Sequence, residues 1–197
     1  MKALEGKINS NMAPYLTDIA NLQSAVAKNA DEAAYRKLFV LFYTPVIRFA
    51  NTIVHSEELA EELYADAMMK IWLMGPKLEQ VMDFRVYLFT LVKNAAFNHL
   101  KKHKGRSYVG LDDLELMPQS NASPIDQLIE KELQLNLKKA VEMLPPKCQM
   151  VYRLIKNDGF SYKEVSEILS ISTNTIEGHM TNALRKITLY MGQHLNF

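Results

Sequence analysis

Ser161-Tyr162-Lys163-Glu164-Val165-Ser166-Glu167-Ile168-Leu169-Ser170-Ile171-Ser172-Thr173-Asn174-Thr175-Ile176 is the stretch that decides how this chain folds. A serine followed three residues later by glutamate is a capping-box pattern, in which each residue satisfies a backbone N–H that the first helical turn leaves unpaired. A short helix therefore opens at Ser161, with Tyr162, Val165, Ile168 and Leu169 pointing inward. Ser170-Ile171-Ser172 interrupts the period, and Ser172 can cap a second helix running from Thr173 to about Tyr190. There Ile176, Met180, Ala183 and Ile187 make the inner stripe. Thr173, Asn174, Glu177, Thr181 and Arg185 point out, with Asn182 and Lys186 close by. Two helices around a three-residue break, the second offering small polar and amide groups near its start, suit a major-groove reader. Asn pairs with adenine edges, Arg with guanine or phosphate, and Glu accepts from cytosine. A plain helical hairpin with a solvated outer face is the competing interpretation of the same pattern.

Upstream, Pro145-Pro146 closes a helix after Leu144. Ser123-Pro124-Ile125-Asp126 opens that helix, with an N-cap, a proline at the first helical position and an acid in the first turn. Gly105, Gly110, Pro118 and the polar run 119–123 mark residues 105–123 as a linker. Its surroundings differ in charge: residues 105–127 net −3, against +1 for 31–104 and +2 for 128–197. Two compact halves joined by an acidic tether follow. Both halves show three- and four-residue apolar spacing without sustained alternation, so the fold class is all-α. Asp31 precedes a helical run through Phe42, and Pro45 begins or kinks the next. Residues 1–13 carry no strong pattern and are left as an extension that need not be ordered.

Two further helices carry chemistry. From about 57 to 74, Ala60, Leu63, Tyr64, Ala67, Met68 and Ile71 form a stripe for burial. Ala65, Met69, Trp72 and Leu73 make a second apolar set, rimmed by Glu61, Glu62 and Asp66. A helix apolar on two faces sits deep in a bundle or docks a partner, and a tryptophan beside methionine and acids favours the partner. From about 84 to 104, Leu88, Leu91, Val92, Ala95 and Ala96 point inward, while Lys93, Phe97, Lys101 and Lys104 share another face, flanked by Thr90, Asn94 and Asn98. Such a stripe suits phosphate contact and base stacking where strands are parted. Cations complementing the dipole at a helix C-terminus account for Lys101 to Lys104 but not for Lys93 and Phe97.

Composition removes other classes. Lys and Arg number 23 against 22 Asp and Glu, so no uniformly basic coat wraps nucleic acid. A single cysteine, Cys148, rules out an intramolecular disulfide framework and fits a reducing cytoplasm. The histidines lack a spacing that gathers metal ligands, and neither a glycine-rich phosphate loop nor a nucleophile elbow occurs. No catalytic site, metal, cofactor or small-molecule substrate is therefore expected. The first twelve residues lack the apolar core of a secretory signal, and the longest apolar candidate, 38–50, contains Pro45 and Arg48. A cytoplasmic protein without direct membrane insertion is expected.

The three motifs resemble those of bacterial RNA polymerase sigma factors. Ala60-Glu61-Glu62-Leu63-Tyr64-Ala65-Asp66-Ala67-Met68-Met69-Lys70-Ile71-Trp72 is similar to their core-binding helix. Tyr87-Leu88-Phe89-Thr90-Leu91-Val92-Lys93-Asn94 is similar to the signature of their promoter-melting helix. Leu144-Pro145, 160–165 and 171–184 resemble their C-terminal helix-turn-helix. The likeness spans about residues 20–190 in order and has the two-domain plan of the extracytoplasmic-function (ECF) group. It implies a region 2-like helical domain over 14–104, the linker over 105–123 and a region 4-like domain over 124–197.

The resemblance also implies roles. Glu62, Leu63, Asp66, Met69 and Trp72 would dock core polymerase, on the clamp helices of its β′ subunit, with β as a further contact. The segment 77–85 and the next helix, through Lys93, Asn94, Phe97, Asn98 and Lys101, would hold the parted minus-ten element of promoter DNA. Ser172, Thr173, Asn174, Thr175, Glu177, Gly178, Asn182, Arg185 and Lys186 would read the minus-thirty-five element. Members of the group are commonly held inactive by an anti-sigma factor. Some positions depart from the family. Ala65 stands where glutamine is frequent, Ser166 where a small alanine lets the helices approach, and Ser170 at the usual turn glycine, where a positive φ costs serine about 1 kcal/mol more. Gly178 lies inside a helix at a cost of roughly 1 kcal/mol relative to alanine, unless it admits a DNA backbone. Two alternatives stand beside a sigma factor. One is a stand-alone helix-turn-helix regulator, for which residues 1–120 show neither ligand pocket nor receiver-like pattern. The other is an interaction module that has lost promoter binding.

Overall fold

The computed structural model describes residues 2–103 and 128–194, with side chains over 16–102 and 133–194. The expected acidic linker, 105–123, and the helix-start signal at 123–126 lie outside the described residues. Those residues form helices without a strand, as the apolar spacing requires. The chain divides into two compact units, Met1–Ser107 and Tyr108–Phe197.

The first unit contains α1 (Lys2–Asn29), α2 (Glu32–Val54), α3 (Glu57–Met74), a 3-10 helix (Gly75–Gln80) and α4 (Phe84–His103). The α1 backbone begins at Lys2, within the segment whose order the sequence leaves open. Asp31 caps α2, its carboxylate accepting from the N–H groups of Ala33 and Ala34 at 2.9 and 3.0 Å. Pro45 does not divide this helix. The chain stays helical through it to Val54, correcting the two-helix expectation. A helix-interior proline removes one backbone hydrogen bond and crowds the carbonyl four residues earlier. Burial of Phe42, Val46, Phe49, Ala50 and Ile53 on both sides of Pro45 offsets that cost.

By length and composition α2 could cross a membrane. Here its apolar side forms the core of the unit. Leu38, Phe42, Val46, Ala50 and Ile53 are nearly inaccessible, as are Tyr64, Met68 and Ile71 of α3 and Leu88, Phe89 and Val92 of α4. Phe42 packs on Phe84 and Phe49 on Phe89, with ring centroids 5.4 and 5.2 Å apart. Ser56 caps α3 by accepting from the N–H of Leu59 at 3.2 Å. Gly75 ends it at φ +52°, the left-handed region that favours glycine.

The second unit contains α5 (Leu128–Glu142), α6 (Pro146–Lys156), α7 (Tyr162–Leu169) and α8 (Thr173–His194). Pro146 occupies the first turn of α6, where its missing N–H costs nothing. α8 packs against the other three helices. Ala140, Val141, Leu144, Cys148, Ala183 and Ile187 form one core cluster, covered by Tyr152, Tyr190 and Met191. The capping box is complete: Ser161 Oγ accepts from the N–H of Glu164, whose carboxylate accepts from the N–H of Ser161. Val165, Ile168 and Leu169 are buried as expected, but Tyr162 is 38% exposed. It is the first residue of α7.

Ser170 ends α7 at φ +58°, ψ +41°, the strained conformation expected where a glycine would be at ease. Ser170→Gly should raise the unfolding free energy of this unit by about 1 kcal/mol, read as a higher denaturant midpoint at unchanged slope.

Candidate protein- and nucleic-acid-binding faces

The first face is the side of α3 turned from its own core. Ala60, Leu63, Tyr64, Ala67, Met68 and Ile71 are all buried, the set expected from the spacing. Glu62 and Asp66 are exposed, and Trp72 is partly exposed. Met69 is 56% and Leu73 74% exposed. Leu63 does not join them. At 8% exposure it belongs to the core stripe, which corrects its placement on the docking face. A single helical position cannot serve both sides, and Leu63 lies in register with Ala60 and Ala67.

Sequence reasoning missed what holds this face up. Tyr35, Phe39 and Tyr43 recur every four residues along α2 and form an aromatic ladder. Tyr35 meets Trp72 edge-on at 4.9 Å, and Phe39 and Tyr43 lie 5.0 and 5.9 Å from Tyr64. The Tyr64 hydroxyl donates to the Phe39 carbonyl at 2.6 Å, and burial drives its pKa far above the usual phenol value. Tyr43 donates to the Glu61 carboxylate, which also raises its pKa. Tyr35, Phe39, Met69 and Trp72 line an open groove with Glu32 and Arg36 at its edge. The four-residue aromatic spacing was the available signal.

The second face is built on α4 and the segment before it. Asn94, Asn98, Lys101 and Lys102 are exposed, and Phe97 is partly exposed. Lys93 is only 6% exposed, so the basic stripe does not begin there. Arg85, Phe89, Lys93 and Ala96 follow one another at helical spacing on a buried face, which carries the lysine stem inward. Burial lowers its ammonium pKa from the ordinary value. The cations left outside sit in the last turn, where they complement the helix dipole as well as any phosphate. Lys104 lies outside the described residues.

The third face is the start of α8. Ser172, Thr173, Asn174, Thr175, Glu177, Gly178, Arg185 and Lys186 are exposed over the buried stripe Ile176, Met180, Ala183 and Ile187. Ser172 is the N-cap: its Oγ accepts from the Thr175 N–H at 3.1 Å and lies 2.8 Å from the Thr175 hydroxyl. That hydroxyl pair is thus engaged locally. A Cβ on Gly178 would meet nothing within 4 Å, so packing inside the chain does not require glycine there. Asn182 is only partly exposed. Its Nδ2 donates inward to Cys148 Sγ at 3.6 Å, while its Oδ1 accepts from Arg185 Nη2 at 3.2 Å. It is tied to the core on one side and steadies Arg185 on the other. Burial raises the Cys148 thiol pKa against the lowering effects of Asn182, Lys186 and Lys147. His179, with Nδ1 3.8 Å from that sulfur, has its pKa lowered by burial and then by Lys147. Among the described residues no three His, Cys, Asp or Glu side chains gather as metal ligands.

Comparison with known proteins meets this geometry. The chain matches the family models of sigma-70 region 2 over residues 38–106 and of sigma-70 region 4 over residues 134–187. It is 23% identical over 162 residues to the ECF RNA polymerase sigma factor SigM of Bacillus subtilis, covering 81% of this chain and 96% of SigM. With the RNA polymerase sigma-H factor of Pseudomonas aeruginosa it shares 20% identity over 168 residues, 81% of this chain and 87% of that protein. Among crystal structures it resembles the sigma factor RpoE of Bartonella quintana, solved in complex with the anti-sigma factor NepR. The TM-score is 0.56 at 25% identity, over 80% of this chain and 96% of that one. Region 2 supplies the first two faces and region 4 the third, in order on one chain; with the two matches together spanning more than half of it, the protein belongs to the sigma-70 family of RNA polymerase sigma factors and is similar to ECF members of that family.

Proposed function

We propose that this sigma factor docks core RNA polymerase through Glu62, Asp66, Met69, Trp72 and Leu73, with the clamp helices of β′ as the receiving surface. The segment 77–85 with Asn94, Phe97, Asn98 and Lys101 takes the parted minus-ten strand. Thr173, Asn174, Glu177, Arg185 and Lys186 read the minus-thirty-five element, with Gly178 giving a DNA backbone room to approach. The region 2 domain occupies 14–104, the linker 105–123 and the region 4 domain 124–197. The chain works in the cytoplasm and catalyses no reaction of its own, since the chemistry belongs to the polymerase. An anti-sigma factor covers the α3 face in the inactive state, as the complex of RpoE with NepR leads one to expect.

The observation that carries this proposal is α3 itself. A helix already buried on one side exposes Met69, Leu73 and part of Trp72 within a rim of acids on the other. Exposed large apolar groups ringed by charge are what a docking partner covers.

The test is promoter-selective transcription by purified core polymerase over a promoter pool, with and without the protein. Initiation should depend on the protein. Asn174→Ala with Arg185→Ala should lower selectivity by about tenfold or more, since each base contact contributes about 1–3 kcal/mol. Core binding should be retained. Sequence-specific DNA binding with no need of core, or core binding without initiation anywhere in the pool, would overturn the proposal.

A further inference from the structure

Gln23 of α1 is a buried polar residue far in sequence from anything it serves. It is 8% exposed, and its side-chain Nε2 donates at 2.8 Å to the Leu78 carbonyl and at 2.8 Å to that of Val81. Both amide protons are thus used, one on the 3-10 helix and one on the residue that ends it. The Val81 N–H donates to the same Leu78 carbonyl at 3.2 Å. Nearer solvent, Lys28 pairs with Glu79 at 2.9 Å and Ser24 reaches the same carboxylate at 3.4 Å. On the other side, Asp83 caps α4. Its carboxylate accepts from the Val86 N–H and its carbonyl from the Tyr87 N–H, both at 3.0 Å, and Phe84 is buried.

Only Val81-Met82-Asp83 therefore spans two fixed points. Met82, in its middle, is 100% exposed. A long apolar side chain with no cover, on a bridge pinned at both ends, is placed to wedge against unstacked bases. Pinning matters because a wedge on a loose loop gives up conformational entropy when it engages.

We infer that Gln23 is a positioning residue for promoter opening, fixing the 81–83 bridge so that Met82 meets the parted strand. The inference rests on the proposal that segment 77–85 receives that strand.

Gln23→Met keeps the length and removes both donors. Gln23→Asn keeps an amide but falls one methylene short, and serves if the first variant folds poorly. Open-complex formation by the full-length protein with core polymerase is measured on a duplex promoter and on the same promoter with a mismatched bubble across the minus-ten element. Gln23→Met should slow opening of the duplex about tenfold or more, the scale of losing the two net hydrogen bonds that position the bridge. Core binding should be retained, and the bubble should restore initiation to the parent level. Equal losses on both templates mean a merely structural role and overturn the inference, as does unchanged opening of the duplex by both variants. Met82→Ala separates the two levels. If it opens duplex normally, the strand-receiving role of the segment fails and the inference with it. If it is impaired while the Gln23 variants are normal, only the role of Gln23 fails.

Discussion

Trp72→Ala should weaken association with core RNA polymerase by about 30-fold or more, the scale of a truncated interface hot spot at 2 kcal/mol or above. The expectation follows from where the indole sits. It is partly exposed, edge-on to Tyr35 at 4.9 Å, and shares a groove with Phe39 and Met69. A rigid aromatic already held by neighbours gives up little side-chain freedom on binding, so most of its buried area counts toward affinity. Asp66→Ala on the same face should cost less and depend on salt, because an exposed charge acts through a screened field. Fluorescence-anisotropy titration of labelled protein with core measures both, and circular dichroism with thermal melting checks that unit 1 is intact. Parent-like affinity in Trp72→Ala would remove α3 from the docking site.

A second large effect is expected beneath the reading face. Ile176 is completely buried under the first turn of α8, which carries Thr173, Asn174 and Glu177 on its outer side. Ile176→Ala should destabilise the second unit by about 2–5 kcal/mol, the usual cost of removing a large aliphatic side chain from a packed core. Domains of this size have a total stability of about 5–15 kcal/mol, so the transition of that unit should shift by many degrees. The first unit has its own core from α2, α3 and α4 and should melt unchanged. Calorimetry of the full chain should show one transition displaced and one in place, and binding to core through α3 should persist. A single transition shifted as a whole would mean that the two units unfold together.

Helical periodicity made much of this molecule legible. The buried sides of α3 and of α8 are the residues that three- and four-residue spacing selects, and the capping box at Ser161 follows from local backbone chemistry, whereas the left-handed Ser170 is implied by the family resemblance. Spacing gives the angle of a residue around its own helix but not which neighbours cover that angle. Lys93 lies at an angle that surrounding elements bury, and Asn182 at one where Cys148 of another helix waits for its amide. Pro45 does not start a new helix for a related reason: tertiary burial on both sides overrides the local penalty of the proline. The role of Gln23 was out of reach, since its two acceptors lie 55 and 58 residues away and are main-chain carbonyls.

The chain has one tryptophan, and it stands in the open groove of the first unit that is proposed to dock core polymerase. Excited at the red edge of the indole band, the molecule is therefore spectroscopically silent everywhere except at that groove. Excited at the shorter wavelength where tyrosine absorbs, Tyr35, with its ring centroid 4.9 Å from the indole, lies well within energy-transfer range and feeds the same reporter. A blue-shifted emission on mixing with a tryptophan-free fragment of a partner would report that this groove has closed over, without a label and without contribution from the DNA-reading half.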